Sequence, residues 1–316
     1  MPNQNVSPSA AQTNLRLPSA TPPPAKDLGI LLVGVICGAT APPLMAAAAV
    51  PALAIAFWRN ALAMIVVVPM ALLRGRGELR SLNGRLVVLI SFAAVMLAIH
   101  FGAAATSLHS TSVASASALI CTQSMWAALF ARILGERLPA VAWFGTAVVL
   151  LGVAVITGVD VSFSGRALVG DAFAMIAGLA GGAYMVAGGV VRQRLGVTVY
   201  TAVCYSLSAL VLLPAVLLSG QQLWGYSELA WTQLVALTVL AQLIGHSIFN
   251  LVMRSVSPSL VSLGQLLTMP LSAVLAALAL QQTPPLAAIP ALGLMLAGTS
   301  MVVVSSRRST LVAEEF

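Results

Sequence analysis

Ten apolar runs, parted by short polar turns, fill the chain between residues 28 and 305. They lie at approximately 28–48, 53–73, 86–106, 113–133, 141–158, 170–190, 199–218, 231–253, 259–280 and 287–305. A helix that crosses a bilayer needs about 20 mainly apolar residues. Gly and Pro disturb the periodicity, so length rather than amphipathic phase identifies these runs. Hydrocarbon offers no partner to an unpaired backbone group, so apolar runs this long fold as helices. The expected fold is an all-α membrane bundle of ten helices.

The pattern repeats. A shift of 146 positions carries His100 onto His246, Thr122 onto Thr268, Ala127 onto Ala273 and Leu129 onto Leu275. The same register carries Ala131 onto Ala277, Leu134 onto Leu280, Pro139 onto Pro285 and Gly152 onto Gly298, without gaps. Internal duplication is the simplest account. It divides the chain into copies at 28–158 and 170–305, after a tail at 1–27. The tail is rich in Pro, Ser, Ala, Asn and Gln and has no apolar core, so it reads as disordered rather than as a secretory signal. Five helices per copy make the second copy enter the membrane in the opposite sense. Inverted repeats place His100 and His246 in pseudo-symmetric positions, and transporters built this way bind solute near the midplane, at the repeat interface.

Composition agrees with lipid as the solvent. Of 316 residues, 59% are hydrophobic and 7% charged, whereas a soluble domain carries about 25% charged residues. The net charge of +7 does not indicate nucleic acid, because the arginines sit in short turns and form no stripe. They do report orientation. With the N-terminus inside, thirteen of the fifteen basic residues fall on inner segments, Arg166 falls outside and Arg59 within a span. Loop charge of this kind puts both termini in the cytoplasm of a multi-pass plasma-membrane protein. Cys37, Cys121 and Cys204 lie in separate apolar runs and read as small core residues.

Against this apolar background the polar residues stand out. Arg59 lies about six residues, hence about 9 Å, into the second run. It must face the bundle, pair, or snorkel outwards, and it is either an anchor for a carboxylate or phosphate or a structural arginine with Asp171 as its partner. His100 and His246 are interhelical hydrogen-bonders or proton carriers. Gln242, His246 and Asn250, spaced i, i+4, i+8, form one polar face of the eighth run. Ser262, Gln265, Met269 and Ser272 do the same for the ninth, and Gln123, with Ser115 and Thr122, does so more weakly for the fourth. In lipid each unpaired amide costs a few kcal/mol, so these faces meet protein or a wet cavity. Pro42 and Pro43 break or kink the first run near Thr40, either beside a cavity or as a simple kink. The glycine pairs Gly34/Gly38 and Gly178/Gly182 suit close helix contact, within one chain or in a homodimer. Glu136 reads as a turn salt bridge or cap. There is no GxSG, HExxH, P-loop, paired-acid site or Cys/His cluster, so neither an enzyme, a metal, another cofactor nor a nucleotide-driven pump is expected.

Several of these stretches resemble the EamA family of the drug/metabolite transporter superfamily. The carriers in the first copy are FWRNALA, with Arg59, and ILGERLPAVAWFGTAVVLLGVAVITG. In the second they are QLIGHSIFN and MPLSAVLAAL, and the resemblance covers roughly residues 28–305. It implies ten helices in inverted five-helix repeats around a central cavity, and secondary transport, usually export, of metabolites or toxic compounds. Two positions depart from the family. Gln281 and Gln282 stand where the second copy often repeats a Gly-Glu turn, and Met269 stands where many relatives have Glu. Both changes remove a carboxylate that could carry a proton.

The functional expectation is a secondary exporter of a small organic solute, with amino acids or organic acids favoured. Arg59, His100, Gln123, Gln242, His246, Asn250 and Gln265 would bind the solute, with His246 as proton carrier. The competing reading is a membrane scaffold without a transport cycle, whose polar groups are interhelical glue. A scaffold would be filled at the repeat interface, and a transporter open to one side.

Overall fold

The computed structural model describes residues 25–134, 140–253, 261, 265–282, 286, 289–298, 300 and 301. Most of the predicted tail, the Gly135-Glu136-Arg137 turn, Arg254, Ser262, Pro285, Arg307 and Arg308 lie outside the described residues.

The described residues form helices and no strands. In chain order these are α1 (Ala25–Ala39), α2 (Ala41–Ala47), α3 (Ala52–Arg74), α4 (Arg76–Arg80), α5 (Gly84–Leu108), α6 (Val113–Cys121) and α7 (Gln123–Ile133). Next come α8 (Ala140–Phe163), α9 (Gly165–Arg192), α10 (Val197–Leu218), α11 (Glu228–Ala236), a π-helical segment (Leu237–His246), α12 (Ser247–Val252) and α13 (Thr268–Leu280). A final helix, α14, covers Ile289–Gly298. Seven helical stretches are long and apolar enough to cross a membrane. Trp143–Val155, Thr268–Leu280 and Ile289–Gly298 are shorter apolar helices within the fifth, ninth and tenth predicted runs.

Local chemistry sets the helix ends. The side chains of Asn83, Ser112, Ser164 and Ser227 accept hydrogen bonds from Leu86, Ser115, Ala167 and Ala230 amides, capping α5, α6, α9 and α11. Breaks inside the spans have equally local causes. Between α1 and α2 the chain turns at Thr40, as Pro42 and Pro43 predict. Pro43 has no N–H to offer the Ala39 carbonyl four residues back. The hydroxyl of Ser272, on α13, donates to that carbonyl at 2.9 Å instead. Protein thereby supplies the donor that the break removes.

The fourth and ninth runs break at matching places. Thr122 separates α6 from α7, and its hydroxyl donates to the Leu119 carbonyl at 2.6 Å. In the second copy, Thr268 follows a turn at Leu267 and donates to the Gln265 carbonyl, also at 2.6 Å. Leu119 and Gln265 are related by the same 146-residue shift. A threonine bonding back to its own helix bends it, so the duplication is a duplication of bends as well as of sequence.

The two copies interlock. The first helix of the second copy, α9, packs along α5, α6 and α7 of the first, while α1 packs on the π segment, α12 and α13. Glycines permit these crossings. A Cβ on Gly245 would stand 3.0 Å from the Gly38 amide, and one on Gly298 would stand 2.6 Å from the Gly145 carbonyl oxygen. Gly34, Gly38, Gly178 and Gly182 all serve contacts within the chain. Helices α3 and α10 lie along each other and are tied at both ends. At one end Glu78 Oε2 accepts from the Gly196 amide at 2.6 Å. At the other, Gln221 Oε1 accepts from the Leu53 amide and Trp58 Nε1 donates to the Leu223 carbonyl, each at 2.9 Å.

Candidate functional site

Between the copies α5, α7, α9, the π segment and α12 surround a small cavity lined by polar groups. His100, Gln123, Tyr184, His246, Asn250 and Gln265 contribute polar groups, and Met185, Phe249, Met253 and Val261 the apolar remainder. Its water-accessible space is ≈ 10 Å³, about the room for one water molecule. A solute larger than water enters only after the walls part.

Five of the seven sequence-derived candidates, His100, Gln123, His246, Asn250 and Gln265, meet in this lining. Gln123, directly after the Thr122 bend, donates from Nε2 to Gln265 Oε1 at 3.1 Å, joining the fourth run of one copy to the ninth of the other. His100 Nδ1 lies 2.8 Å from the Ala177 carbonyl. A carbonyl only accepts, so Nδ1 carries the proton and Nε2 is left as an acceptor. A Cβ on Gly181 would collide with Gln123 Oε1 and stand 2.8 Å from His100 Nδ1, so glycine makes room for both. Asn250 Oδ1 accepts from the Tyr184 hydroxyl at 3.0 Å, and its buried Nδ2 has no hydrogen-bond partner among the described residues. His246 faces its fellow histidine with ring centroids 6.3 Å apart. No carboxylate lines the cavity among the described residues. Met269 is packed in an apolar cluster with Cys121 and Leu266.

Arg59 and Gln242 are not in the cavity lining; they form a second buried cluster beside it. Arg59 is 2% exposed, and its guanidinium carbon sits 3.7 Å from the centroid of the Phe101 ring. Its Nε donates to Gln242 Oε1 at 2.9 Å, and Gln242 Nε2 donates to Asn60 Oδ1 at 3.3 Å. Gln242, rather than the proposed Asp171, is thus its hydrogen-bond partner. Phe101 in turn meets His246 at 5.0 Å, so one aromatic ring links the cationic cluster to the cavity.

The predicted polar face of the eighth run is present, but its geometry differs from an α-helix. Residues 237–246 are π-helical, with turns closed by i→i+5 bonds. Such turns need more than four residues, so an i+4 neighbour falls short of a full turn instead of passing it by about 40°. Gln242, His246 and Asn250 still face inwards, each to a different partner. The Gln242 carbonyl also accepts from Tyr205 and Ser247 hydroxyls, both at 3.4 Å. Sequence reasoning did not single out Asn60, Phe101, Met45 or Tyr184. Asn60 adjoins Arg59 within FWRNALA, whereas Phe101 and Met45 carry no sequence signal that separates them from core.

The EamA-like transporter family matches residues 26–158 and again residues 168–304. The chain belongs to that family. As an EamA-type chain it is a multi-pass membrane transporter of the drug/metabolite type, built from two related segments. A solved structure described as "Crystal structure of protein" is similar over 90% of this chain and 98% of its own, with 21% identity and a TM-score of 0.65. That likeness concerns the fold. No curated protein matches the chain in sequence.

Proposed function

We propose that this EamA-type chain exports a small organic solute, an amino acid or organic acid, across the plasma membrane by alternating access. Ten spans in two inverted five-helix repeats, with both termini cytoplasmic, rock about the central cavity. Arg59 holds an anionic group, while Gln242, His246, Asn250 and Gln265 hydrogen-bond the remainder and His246 carries a proton. One observation supports the reading above the others: polar side chains from both copies converge on one narrow cavity. Buried amides and imidazoles within an apolar bundle are costly unless used.

The second reading, a scaffold without a transport cycle, draws on the tightness of that same cavity. Uptake into inverted, energised vesicles separates the two. Amino acids, organic acids and cationic drugs are offered with and without a proton ionophore. Ionophore-sensitive accumulation of one class supports proton-driven export. Accumulation that survives the ionophore removes the role of His246 as proton carrier, and no accumulation by folded protein favours the scaffold.

A further inference from the structure

The guanidinium of Arg59 is only half satisfied. Its Nε is spent on Gln242, which orients the group. Among the described residues its Nη1 has only the thioether sulfur of Met45, at 3.7 Å, and its buried Nη2 has no hydrogen-bond partner. Nη1 and Nη2 form the terminal fork, the edge that matches the two oxygens of a carboxylate. Thioether sulfur is a weak acceptor, and a buried charged donor left unmade is expensive. Phe101 covers the face of the group, so the ring does not compete for that edge.

We propose that the Nη1/Nη2 edge of Arg59 is a seat for a solute carboxylate, kept closed by the Met45 side chain, which the incoming carboxylate displaces. The inference rests on the anionic-solute reading of Arg59 given above. Met45 is suited to the part. It is 2% exposed, unbranched and flexible, and lies on α2, a seven-residue helix severed from α1 at Thr40. The seat takes a monoanion. Among the described residues no second cation lies in the cluster, whose members are Gln242, Asn60, Met45, Phe101 and Tyr205. A phosphate dianion would keep an uncompensated charge there, at a large desolvation cost.

The test uses benzoate, benzamide and benzylamine, which put an anionic, a neutral and a cationic head on one ring. Apparent Kd values come from ligand-induced thermal stabilisation of the full chain in nanodiscs. The wild type is expected to prefer benzoate to benzamide by about tenfold or more, the range of a charge-assisted pair. Met45→Leu keeps the volume, removes the sulfur acceptor, and is expected to preserve or increase that preference. Met45→Gln and Met45→Glu offer the fork a tethered acceptor, and are expected to cut benzoate affinity about tenfold or more with benzamide unchanged. Arg59→Lys keeps the charge without the fork and should erase the preference. A wild type that binds the three probes alike overturns the proposal, as does a benzoate preference that Met45→Gln leaves intact. If Met45→Glu fails to fold, Met45→Gln alone decides. The binding ratio is independent of vesicle uptake: an absence of transport with the ratio moving as expected sinks the transport reading and spares the seat.

Discussion

His100 and His246 occupy equivalent places in the two copies, yet their surroundings have diverged. His100 is tied to the Ala177 carbonyl in space that Gly181 leaves for it, with its tautomer set by that bond. His246 sits at the end of the π segment with aromatic rings as its neighbours, Phe101 at 5.0 Å and Phe249 at 6.2 Å. The helices α3 and α10, which pair at a shift of 145 positions where the later helices pair at 146, show the same divergence. Counted from Ala52 and Val197, Pro69 and Pro214 are each the eighteenth residue, and Arg59 and Cys204 each the eighth. One copy has a buried cation where the other has a thiol. Duplication places a residue, and its neighbours then decide whether it is structure or site.

That comparison breaks most sharply at its largest asymmetry. Arg59→Ala is expected to lower vesicle uptake of the transported solute about 30-fold or more, since losing one partner of a buried charged contact costs about 2–5 kcal/mol. Cys204→Ala, at the matching place, should change uptake less than threefold. Equal losses in the two variants would abolish the distinction. The histidines come next. His246→Ala is expected to reduce uptake about tenfold with little change in unfolding temperature. His100→Ala should instead destabilise the protein by about 1–3 kcal/mol through the lost buried hydrogen bond, read by thermal or denaturant unfolding in detergent. The reverse pattern would exchange their roles.

The helix breaks offer a smaller contrast. Ser272→Ala leaves the Ala39 carbonyl without its donor and is expected to cost about 1–2 kcal/mol. Thr122→Ala and Thr268→Ala should each cost about 0.5 kcal/mol and nearly the same amount, because each removes one matching local bond. The smallest effect belongs to His109, beyond the end of α5. Burial holds its imidazole below the ordinary value of 6.5, with Arg166 adding to the depression, while hydrogen bonds to the Ala48 and Met45 backbone oppose it. The folded state therefore keeps this group neutral at a pH where the unfolded chain has bound a proton. Stability is retained above 6.5 and falls as the pH drops through that value. His109→Gln should flatten the difference in unfolding temperature between pH 7.5 and pH 5.5, and an unchanged difference would contradict the assignment.

Much of the architecture was legible because lipid imposes simple rules. Long apolar runs become helices, Pro42-Pro43 severs the first of them, and polar residues turn inwards. The inward polar faces of the eighth and ninth runs were read from spacing alone, and Gln265 and Ser272 do meet partners inside the bundle. The grouping of those residues was not legible. Gln242 and His246 are four positions apart, yet one belongs to the arginine cluster and the other to the cavity. The π segment that separates their partners leaves no mark in the spacing.

The chain by itself determined its solvent, its duplication, the helical state of its runs and the kinds of polar group it buries. Each follows from composition and from backbone hydrogen bonding, which act within a run or between identical copies. Only the tertiary structure decided that Met45 and Phe101 enclose Arg59, that Ser272 completes the break at Ala39, and that six polar side chains share one narrow cavity. Those contacts join residues from 14 to 233 positions apart. They depend on how far each helix turns and where it bends, and small changes in either select a different neighbour.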